Sequence, residues 1–406
     1  MTATHTVPGV PAYAMGFSNA GHAYSHLLTM LYPTVVLALE KSWGLSYGEL
    51  ITLMLAGQIL FGAAALPSGW LGDRWSAVGM MVLFFMGTGA AAIATGLATS
   101  TIGIAFGLAA IGLFASIYHP VGMAWLVRMA ENRGRALGTN GIYGSVGIAL
   151  APLVAAALTD LISWRAAFIV PGASAMLFGV ALWVAWRMGK VADVAKDVKP
   201  APEPAKGDVK CAFILLSVTM TCVGFVGSTL SIVLPKLFEQ RLDIAGEGTL
   251  GVGAMVAIVY LIAASGQYFG GRLADRFAMK RVYLACYLVV VPSLFLAAIF
   301  ESWALLAVAM VAVYMNIASL PSENAMLAHF TPSNWRATAY GAKFVLALGV
   351  AAAAVPVAGW VQDRYGDFYW LFVAMGSAGI LVLIFGLFLP SDRAASKPAM
   401  APQPAE

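Results

Sequence analysis

Apolar residues fill most of the chain in stretches of about twenty, which short groups of charged residues, glycines and prolines interrupt. A helix needs about twenty such residues to cross a bilayer, and the stretches lack the alternation typical of a barrel strand. The pattern therefore predicts an all-α membrane protein with about twelve transmembrane helices in two six-helix repeats. The predicted helices are 17–39, 47–70, 77–98, 102–128, 137–159, 166–187, 211–235, 248–271, 281–300, 303–329, 338–360 and 368–389.

A charged segment rich in proline and alanine separates the two groups of helices. It predicts an N-terminal bundle over 1–187, a solvated linker over 188–210, a C-terminal bundle over 211–390 and a disordered cytoplasmic tail over 391–406. Landmarks of the first half recur in the second at an offset of about 202 residues, as an internal repeat requires. The recurring pairs include Gly69 and Gly271, Asp73 and Asp275, Arg74 and Arg276, Arg133 and Arg336, and Asp160 and Asp363.

Composition and charge narrow the class of protein. Hydrophobic residues make up 61% of the chain and charged residues 10%, which excludes a soluble domain. The net charge of +4 comes without a basic run, so no nucleic-acid partner is expected. Lysines and arginines concentrate on one side of the predicted bundle, which predicts that both termini and the linker are cytoplasmic. The protein is expected to lie in the lipid bilayer of a bacterial cell inner membrane. It is also expected to be a monomer.

A loop motif is repeated in the two halves. A glycine, three further residues, an aspartate and an arginine run from Gly69 to Arg74 and again from Gly271 to Arg276. With this motif the chain resembles the major facilitator superfamily over nearly its whole length. The resemblance implies two six-helix halves that carry a solute by alternating access, with a cytoplasmic gate at Gly69, Asp73, Arg74, Arg133, Gly271, Asp275, Arg276 and Arg336. The alternative is that these charges only set the topology.

Two further features bear on the kind of transporter. An early histidine, His22, and the pair His119-Pro120 followed by Gly122 are similar to the fosmidomycin resistance branch of drug exporters. Glycines in the fifth predicted helix, followed by Pro152, resemble the glycine–proline signature of exporters. These resemblances favour efflux.

Polar residues inside the predicted helices are the candidates for a substrate or proton-coupling site, because ionisable groups in a bilayer usually face a cavity. Asn19, His22 and His26 fall on one helical face. The resemblance implies that the first, fourth, seventh and tenth helices line the central cavity, and three of these four carry such residues. The candidate site residues are Asn19, His22, His26, Tyr118, His119, Asn140, Tyr143, Asn316, Glu323, Asn324 and Lys343.

The chemistry of these side chains is consistent with several different roles. Imidazoles titrate near neutral pH, so the histidines could exchange protons during transport, or they could be interhelical hydrogen-bond donors. His22, His26 and His119 could also ligate zinc, but no His-rich loop or acidic cluster supports this, and no metal or cofactor is predicted. Lys343 could attract an anionic substrate or extend to the cytoplasmic surface.

The sequence therefore predicts a secondary active transporter that moves a small solute, with proton coupling. Efflux of small organic or drug-like compounds is the leading hypothesis, and proton-coupled uptake of a small organic anion or metabolite is the alternative. A receptor or scaffold that kept only the fold is a further class. An enzyme is not predicted, since the sequence has no nucleophile with a paired base, no phosphate loop and no complete metal motif.

Overall fold

The computed structural model of the protein describes residues 10–130, 133–193, 209–243, 248–331 and 336–390. These residues form helices joined by short turns, with no strand among them. A single π-helical turn, Tyr118–Gly122, lies between α7 and α8. The α-helices in chain order are α1 (Val10–Met30), α2 (Tyr32–Trp43), α3 (Tyr47–Thr52), α4 (Leu55–Ala63), α5 (Ala65–Arg74), α6 (Ala77–Leu97), α7 (Thr101–Ala115), α8 (Met123–Met129), α9 (Arg133–Leu161), α10 (Ala166–Arg187), α11 (Val209–Arg241), α12 (Leu250–Arg276), α13 (Met279–Ala297), α14 (Ser302–Phe330), α15 (Arg336–Tyr365) and α16 (Tyr369–Leu387).

The helices group into twelve segments, of which three contain a break. Segment 1 is α1 with α2, segment 2 is α3 to α5, segment 3 is α6, and segment 4 is α7 to α8 with the π-helical turn. Segments 5 to 12 are α9 to α16 in order. Among the described residues nine helices are long and apolar enough to span a membrane, and segment 2, bent by 41°, adds a tenth. Segment 1 and α15 complete the twelve that the sequence predicts.

Local sequence explains how segment 1 ends and segment 2 begins. α2 has a proline in its first turn, where the missing N–H is no loss. It ends at Gly44, whose φ of 65° is a left-handed conformation that glycine adopts without strain. Ser46 then begins α3 with a capping box, in which Ser46 and Glu49 each bond the other's backbone N–H.

The packing of the segments repeats between the halves. In the first half three pairs of segments pack together, namely 1 with 5, 3 with 6, and 2 with 4. The corresponding pairs in the second half are 7 with 11, 9 with 12, and 8 with 10. Segment 5 packs against segment 8 and segment 2 against segment 11, and these contacts join the halves. Segments 2 and 4 pack closely at Gly57 and Gly112, where a Cβ on either residue would meet the other helix's backbone. The repeated landmarks of the sequence thus correspond to repeated helix pairs.

Successive segments run in opposite directions, so their ends gather at two faces of the bundle. The linker face holds the start of segment 1, the turns after segments 2, 4, 8 and 10, and the linker. The opposite face holds the turns after segments 1, 3, 5, 7, 9 and 11, and there Arg165 donates hydrogen bonds to the carbonyls of Gly96 and Ala98. The linker face is the one that the sequence predicts to be cytoplasmic.

The start of the linker packs on the N-terminal half. The carboxylate of Asp193 accepts hydrogen bonds from Ser76 Oγ at 2.7 Å and from Val78 N at 3.0 Å, at the beginning of α6. Trp125 Nε1 donates to the carbonyl of Ala192. A carboxylate at this position satisfies N–H groups that the helix itself leaves unpaired. Residues 194–208 of the predicted linker and the predicted tail lie outside the described residues, and the last two residues of the predicted linker already belong to α11.

Candidate functional site

Three histidines meet inside the N-terminal half. His22 and His26 are about one turn apart on α1, and His119 belongs to the π-helical turn of segment 4. The ring centroids of His22 and His26 are 5.1 Å apart, and each is 5.4 Å from that of His119. One ring nitrogen from each residue lies within 4.8 Å of the other two. Side chains nearly a hundred residues apart in sequence therefore form one cluster.

Asn140 on α9 joins this histidine cluster to the surrounding helices. Its carbonyl oxygen accepts a hydrogen bond from His22 Nδ1 at 2.8 Å. Its side-chain amide lies within 2.8 and 3.0 Å of Tyr118 Oη and donates to Asn19 Oδ1 at 3.0 Å. All four residues are buried, and buried polar groups require such partners. Four of the candidate residues thus form a single network.

The π-helical turn positions His119. Pro120 follows it and has no N–H to donate, so the regular hydrogen bond of an α-helix cannot form there. The motif glycines face this turn: a Cβ on Gly69 would lie 3.1 Å from Pro120, and one on Gly72 would lie 2.7 Å from Val121. The loop motif therefore lets segment 2 pack closely against the turn that carries the third histidine. Single π-helical turns inside helices are frequent at functional sites.

A second polar cluster lies inside the C-terminal half. Lys343 Nζ on α15 is 2.6 Å from Glu323 Oε1 on α14 and 2.5 Å from Asn324 Oδ1. The Glu323 side chain is 1% exposed and that of Lys343 11%. A buried charge needs a close counter-ion and further hydrogen bonds. The structure therefore turns Lys343 into the bundle, rather than toward the surface, and brings three candidate residues together.

Two tyrosines of α13 complete this cluster, and the sequence reasoning missed both. Tyr283 Oη donates to Glu323 Oε2 at 3.3 Å, and Tyr287 Oη donates to Asn316 Oδ1 at 2.8 Å. Both tyrosines are fully buried. A buried tyrosine hydroxyl usually has a partner, so two tyrosines one helical turn apart in an apolar segment were a usable signal. Tyr143, the remaining candidate, is 44% exposed, and no hydrogen bond links it to either cluster among the described residues.

The first copy of the loop motif forms an ion pair on the linker face. Asp73 Oδ1 is 2.7 Å from Arg128 Nη2. The side chain of Arg133, which the resemblance implies for the same gate, lies outside the described residues. The guanidinium of Arg74 lies 4.3 Å from the centroid of the Trp70 ring. The pair joins segment 2 to segment 4, both in the N-terminal half.

The second copy of the motif has a different local environment. Within the described part of the chain, neither Asp275 nor Arg276 forms an ion pair. The side chain of Arg336, which the resemblance implies for the same gate, lies outside that part. Gly271 is less crowded than its counterpart, since a Cβ there would lie 4.0 Å from Pro321.

The opposite face contains two carboxylates that cross between the halves. Oδ2 of Asp160 accepts hydrogen bonds from two backbone N–H groups at the start of α12, at 2.8 and 2.7 Å, and Oδ1 accepts one from Thr249 Oγ1 at 2.8 Å. Asp363 accepts from Gly48 N at 2.9 Å and Ser46 Oγ at 2.7 Å, at the start of α3. The sequence aligned the two aspartates as repeat landmarks without assigning them a contact. Each holds the first turn of a helix in the other half.

A group of ion pairs adds to this closure between α2 and α11. Lys236 Nζ lies 2.9 Å from both Glu40 Oε2 and Glu239 Oε2, and Lys41 Nζ lies 3.1 Å from Glu239 Oε1. Deeper in the bundle, segments 1, 5, 7 and 8 leave a cavity of only about 10 Å³. The two halves are therefore held together at the opposite face.

A helical bundle of two repeated halves, with a buried polar cluster in each half, has the architecture of a membrane transporter. The sequence model of the Major Facilitator Superfamily matches residues 20–343 and 216–404. The chain belongs to this family.

Two solved structures show the same fold. They are crystal structures of a bacterial homolog to the human lysosomal transporter Spinster, in inward-facing unoccupied and occupied conformations. Their TM-scores are 0.73 and 0.74 at 15% and 16% identity, and the similarity covers 94% of this chain and 97% of each of those chains. No curated protein matches the chain.

These comparisons confirm the predicted fold class and superfamily. The protein is an integral membrane protein and a secondary transporter of the alternating-access type, rather than an enzyme. The narrower similarity to the fosmidomycin resistance branch stays a prediction.

Proposed function

We propose that the protein is a proton-coupled symporter for a small organic anion, in which Glu323 binds the proton and Lys343 binds the anion. The observation that supports this most directly is the buried contact of 2.6 Å between Lys343 Nζ and Glu323 Oε1. Ionisable groups at membrane depth are costly, and they usually serve a transported ion or proton. This proposal corresponds to the alternative, rather than the leading, hypothesis from the sequence.

The need to keep the buried site electrically neutral couples transport of the anion to transport of the proton. In the empty site the charges of Lys343 and Glu323 cancel. When an anion and a proton are both bound, the ammonium pairs with the anion and Glu323 is neutral, so the charges cancel again. A site with only one of the two ligands carries a buried net charge, which costs several kcal/mol. The half-loaded states therefore rarely cross the membrane, and one proton moves with each monoanion.

The direction of net transport follows from the gradients. A proton gradient directed into the cell drives uptake through such a symporter. Efflux is the second candidate, because glycines of the exporter-like signature pack on segment 1. A Cβ on Gly144 would lie 2.5 Å from the ring of His22, and one on Gly147 would meet the backbone of Ala23.

The test is accumulation of labelled anions in proteoliposomes that contain the purified protein. Monocarboxylates, dicarboxylates and phosphonates, including fosmidomycin, are compared with and without a pH gradient. For a monoanion in one-to-one symport, a gradient of one pH unit supports about tenfold accumulation, since one unit corresponds to about 1.36 kcal/mol. Proton-driven extrusion of the same compounds, rather than accumulation, would establish the exporter hypothesis instead.

Variants of Lys343 and Glu323 test which residue binds the anion and which binds the proton. Glu323→Gln is expected to keep exchange of labelled for unlabelled anion and to lose accumulation driven by the pH gradient, because it imitates the protonated state. Lys343→Ala is expected to lose both. Glu301→Gln is the matched control, since Glu301 is the N-cap residue of the same helix, α14, and is exposed. Full pH-driven accumulation by Glu323→Gln would contradict the proposal.

The sequence-based hypothesis that the histidines carry the proton predicts a different result. The double variant His22→Ala, His26→Ala retains pH-driven accumulation if Glu323 is the proton site. Loss of coupling in this variant, together with normal coupling in Glu323→Gln, would assign the proton to the imidazoles.

We further propose that the linker face is cytoplasmic in a bacterial inner membrane and that the protein works as a monomer. The excess of lysine and arginine on that face supports the orientation. In a variant whose three native cysteines are replaced, an impermeant thiol reagent should label a cysteine placed at Ser42, on the opposite face, in intact cells after removal of the outer membrane. Labelling that requires permeabilised cells would indicate the reverse orientation.

A further inference from the structure

We propose that His22, His26 and His119 form a binding site for a divalent transition-metal ion such as Zn²⁺, with one coordination position open. The sequence alone favoured no metal. The inference goes beyond the proposed transport function, because it concerns equilibrium binding to the N-terminal half and requires neither a substrate nor a proton gradient.

The positions of the three rings suit a shared ion. Zn²⁺ holds imidazole nitrogens at about 2.0–2.1 Å, so its ligands lie about 3.3 Å from one another. One nitrogen from each ring is already within 4.8 Å of the other two, so rotations that move them by about 1.5 Å would bring them to bonding distance. Two histidines four residues apart on one helix face are a spacing that proteins use for zinc. His119 supplies the third ligand from another segment.

The tautomer of His22 is set for metal binding. A backbone carbonyl can only accept, so the contact of 2.8 Å between His22 Nδ1 and the Asn140 oxygen places the ring proton on Nδ1. Nε2 then has the lone pair that a metal ion needs. Metal-binding histidines commonly donate their second N–H to a carbonyl in this way, which also fixes the ring. Asn140 is in turn held by Tyr118 and Asn19.

The ligand atoms of the cluster determine which metal ions it can bind. The cluster consists of three neutral imidazoles, with the rings of Phe61 and Tyr118 beside them. Imidazole suits zinc and its transition-metal neighbours, whereas Mg²⁺ and Ca²⁺ require oxygen ligands. Three protein ligands leave a fourth tetrahedral position for water or an anionic group. Since no ligand of the cluster carries a negative charge, we expect the ion to be exchangeable.

Gly144 provides the space that the His22 ring occupies. A Cβ on this residue would lie 2.5 Å from His22 Nε2, the nitrogen proposed to bind the metal. Alanine at this position would displace the ring without removing any ligand. The structure thus offers a variant that tests the geometry of the cluster separately from its composition.

The experiment is a Co²⁺ titration of the purified protein without a polyhistidine tag, followed by displacement with Zn²⁺. We expect one equivalent of Co²⁺ to give the visible absorption of a site with imidazole ligands, and one equivalent of Zn²⁺ to remove it. His26→Ala and His119→Ala should each weaken binding by at least about 100-fold, and Gly144→Ala by roughly 10- to 100-fold. The matched control is His329→Ala, at the linker-face end of α14, which should bind as the wild type does.

Thermal unfolding without metal shows whether each variant is folded, and added Zn²⁺ should raise the unfolding temperature of the wild type and of His329→Ala only. Absence of stoichiometric binding by the wild type would overturn the proposal. Binding that persists in His26→Ala and His119→Ala would overturn it as well, because the ion would then be held elsewhere. Neither result depends on whether Glu323 couples protons.

Discussion

Replacing Asp160 and Asp363 together by alanine is expected to open the opposite face of the transporter. Each carboxylate binds the first turn of a helix in the other half, so each contact exists only while the halves are closed there. Loss of a side-chain cap at a helix N-terminus costs about 0.5–2 kcal/mol, and loss of a favourable charge near the helix dipole adds about 0.3–1 kcal/mol.

The free-energy losses on removing the two contacts are expected to add, because the contacts are independent. Asp160 binds segment 8 and Asp363 binds segment 2, and they share no partner. Two losses of roughly 1–2 kcal/mol each destabilise the closed state by about 2–4 kcal/mol. Since about 1.4 kcal/mol corresponds to a factor of ten, the ratio of closed to open molecules falls by at least about 30-fold. Conformations of such proteins differ by only a few kcal/mol, so the change is large enough to observe.

The assay is a distance measurement between spin labels on the two halves, by pulsed electron resonance. Labels at Ser42 and Arg364, both exposed on the opposite face, report the separation of segments 1 and 11. The three native cysteines are first replaced. The double variant should shift the population toward the longer distance.

A matched control removes a carboxylate of the same face that stays within one half. Asp243 Oδ2 is 3.2 Å from Ser302 Oγ, and both residues belong to the C-terminal half. Asp243→Ala should leave the distance distribution unchanged. If the double variant also kept the wild-type distribution, the two aspartates would not stabilise the closed state, and the reasoning would be wrong.

Three further predictions concern packing and stability, each measured by thermal unfolding in detergent. Gly112→Ala should destabilise the protein strongly, because its Cβ would overlap a backbone carbonyl of segment 2. Gly16→Ala has open space around the new Cβ and should stabilise the protein by up to about 1 kcal/mol. Equal unfolding temperatures of the two variants would contradict the close contact at Gly112. Tyr118→Phe should cost about 1–3 kcal/mol, because the buried Asn140 Oδ1 loses the hydroxyl that donates to it, although Asn140 Nδ2 keeps its bond to Asn19. An unchanged unfolding temperature would show that this hydrogen bond is not needed for stability. Arg128→Ala breaks a partly exposed ion pair and should change stability by less than about 1 kcal/mol; a larger loss would mean that the pair is more important than its exposure suggests.

The helices were predictable because lipid permits few alternatives. A segment of about twenty apolar residues must satisfy its backbone hydrogen bonds internally, so hydropathy gives its position directly. The predicted helix 166–187 agrees with α10 at both ends. The prediction 211–235 ended too early, because it stopped at a proline. α11 continues to Arg241, and Lys236 and Glu239 in this last part form ion pairs with α2.

The candidate sites were predictable as types of residue but not as contacts. Intramembrane histidines, a glutamate and a lysine stand out in an apolar sequence because they are costly there. Their partners depend on how segments pack. Whether Lys343 would extend to the surface or turn toward Glu323 could not be decided from spacing along one helix. The buried tyrosines of α13 had no sequence property that linked them to the neighbouring helix.

The sequence by itself determined the membrane location, the number and order of segments, the internal repeat and the superfamily motif, since these depend on local hydropathy and on residues close together in the chain. Only the tertiary structure decided which polar groups meet: three histidines around one point, Lys343 against Glu323, and Asp160 and Asp363 across the two halves. These contacts join residues on different segments, and their distances depend on the rotation and approach of packed helices. Hydropathy contains no information on that rotation, because lipid-facing and helix-facing surfaces of a membrane segment are both apolar.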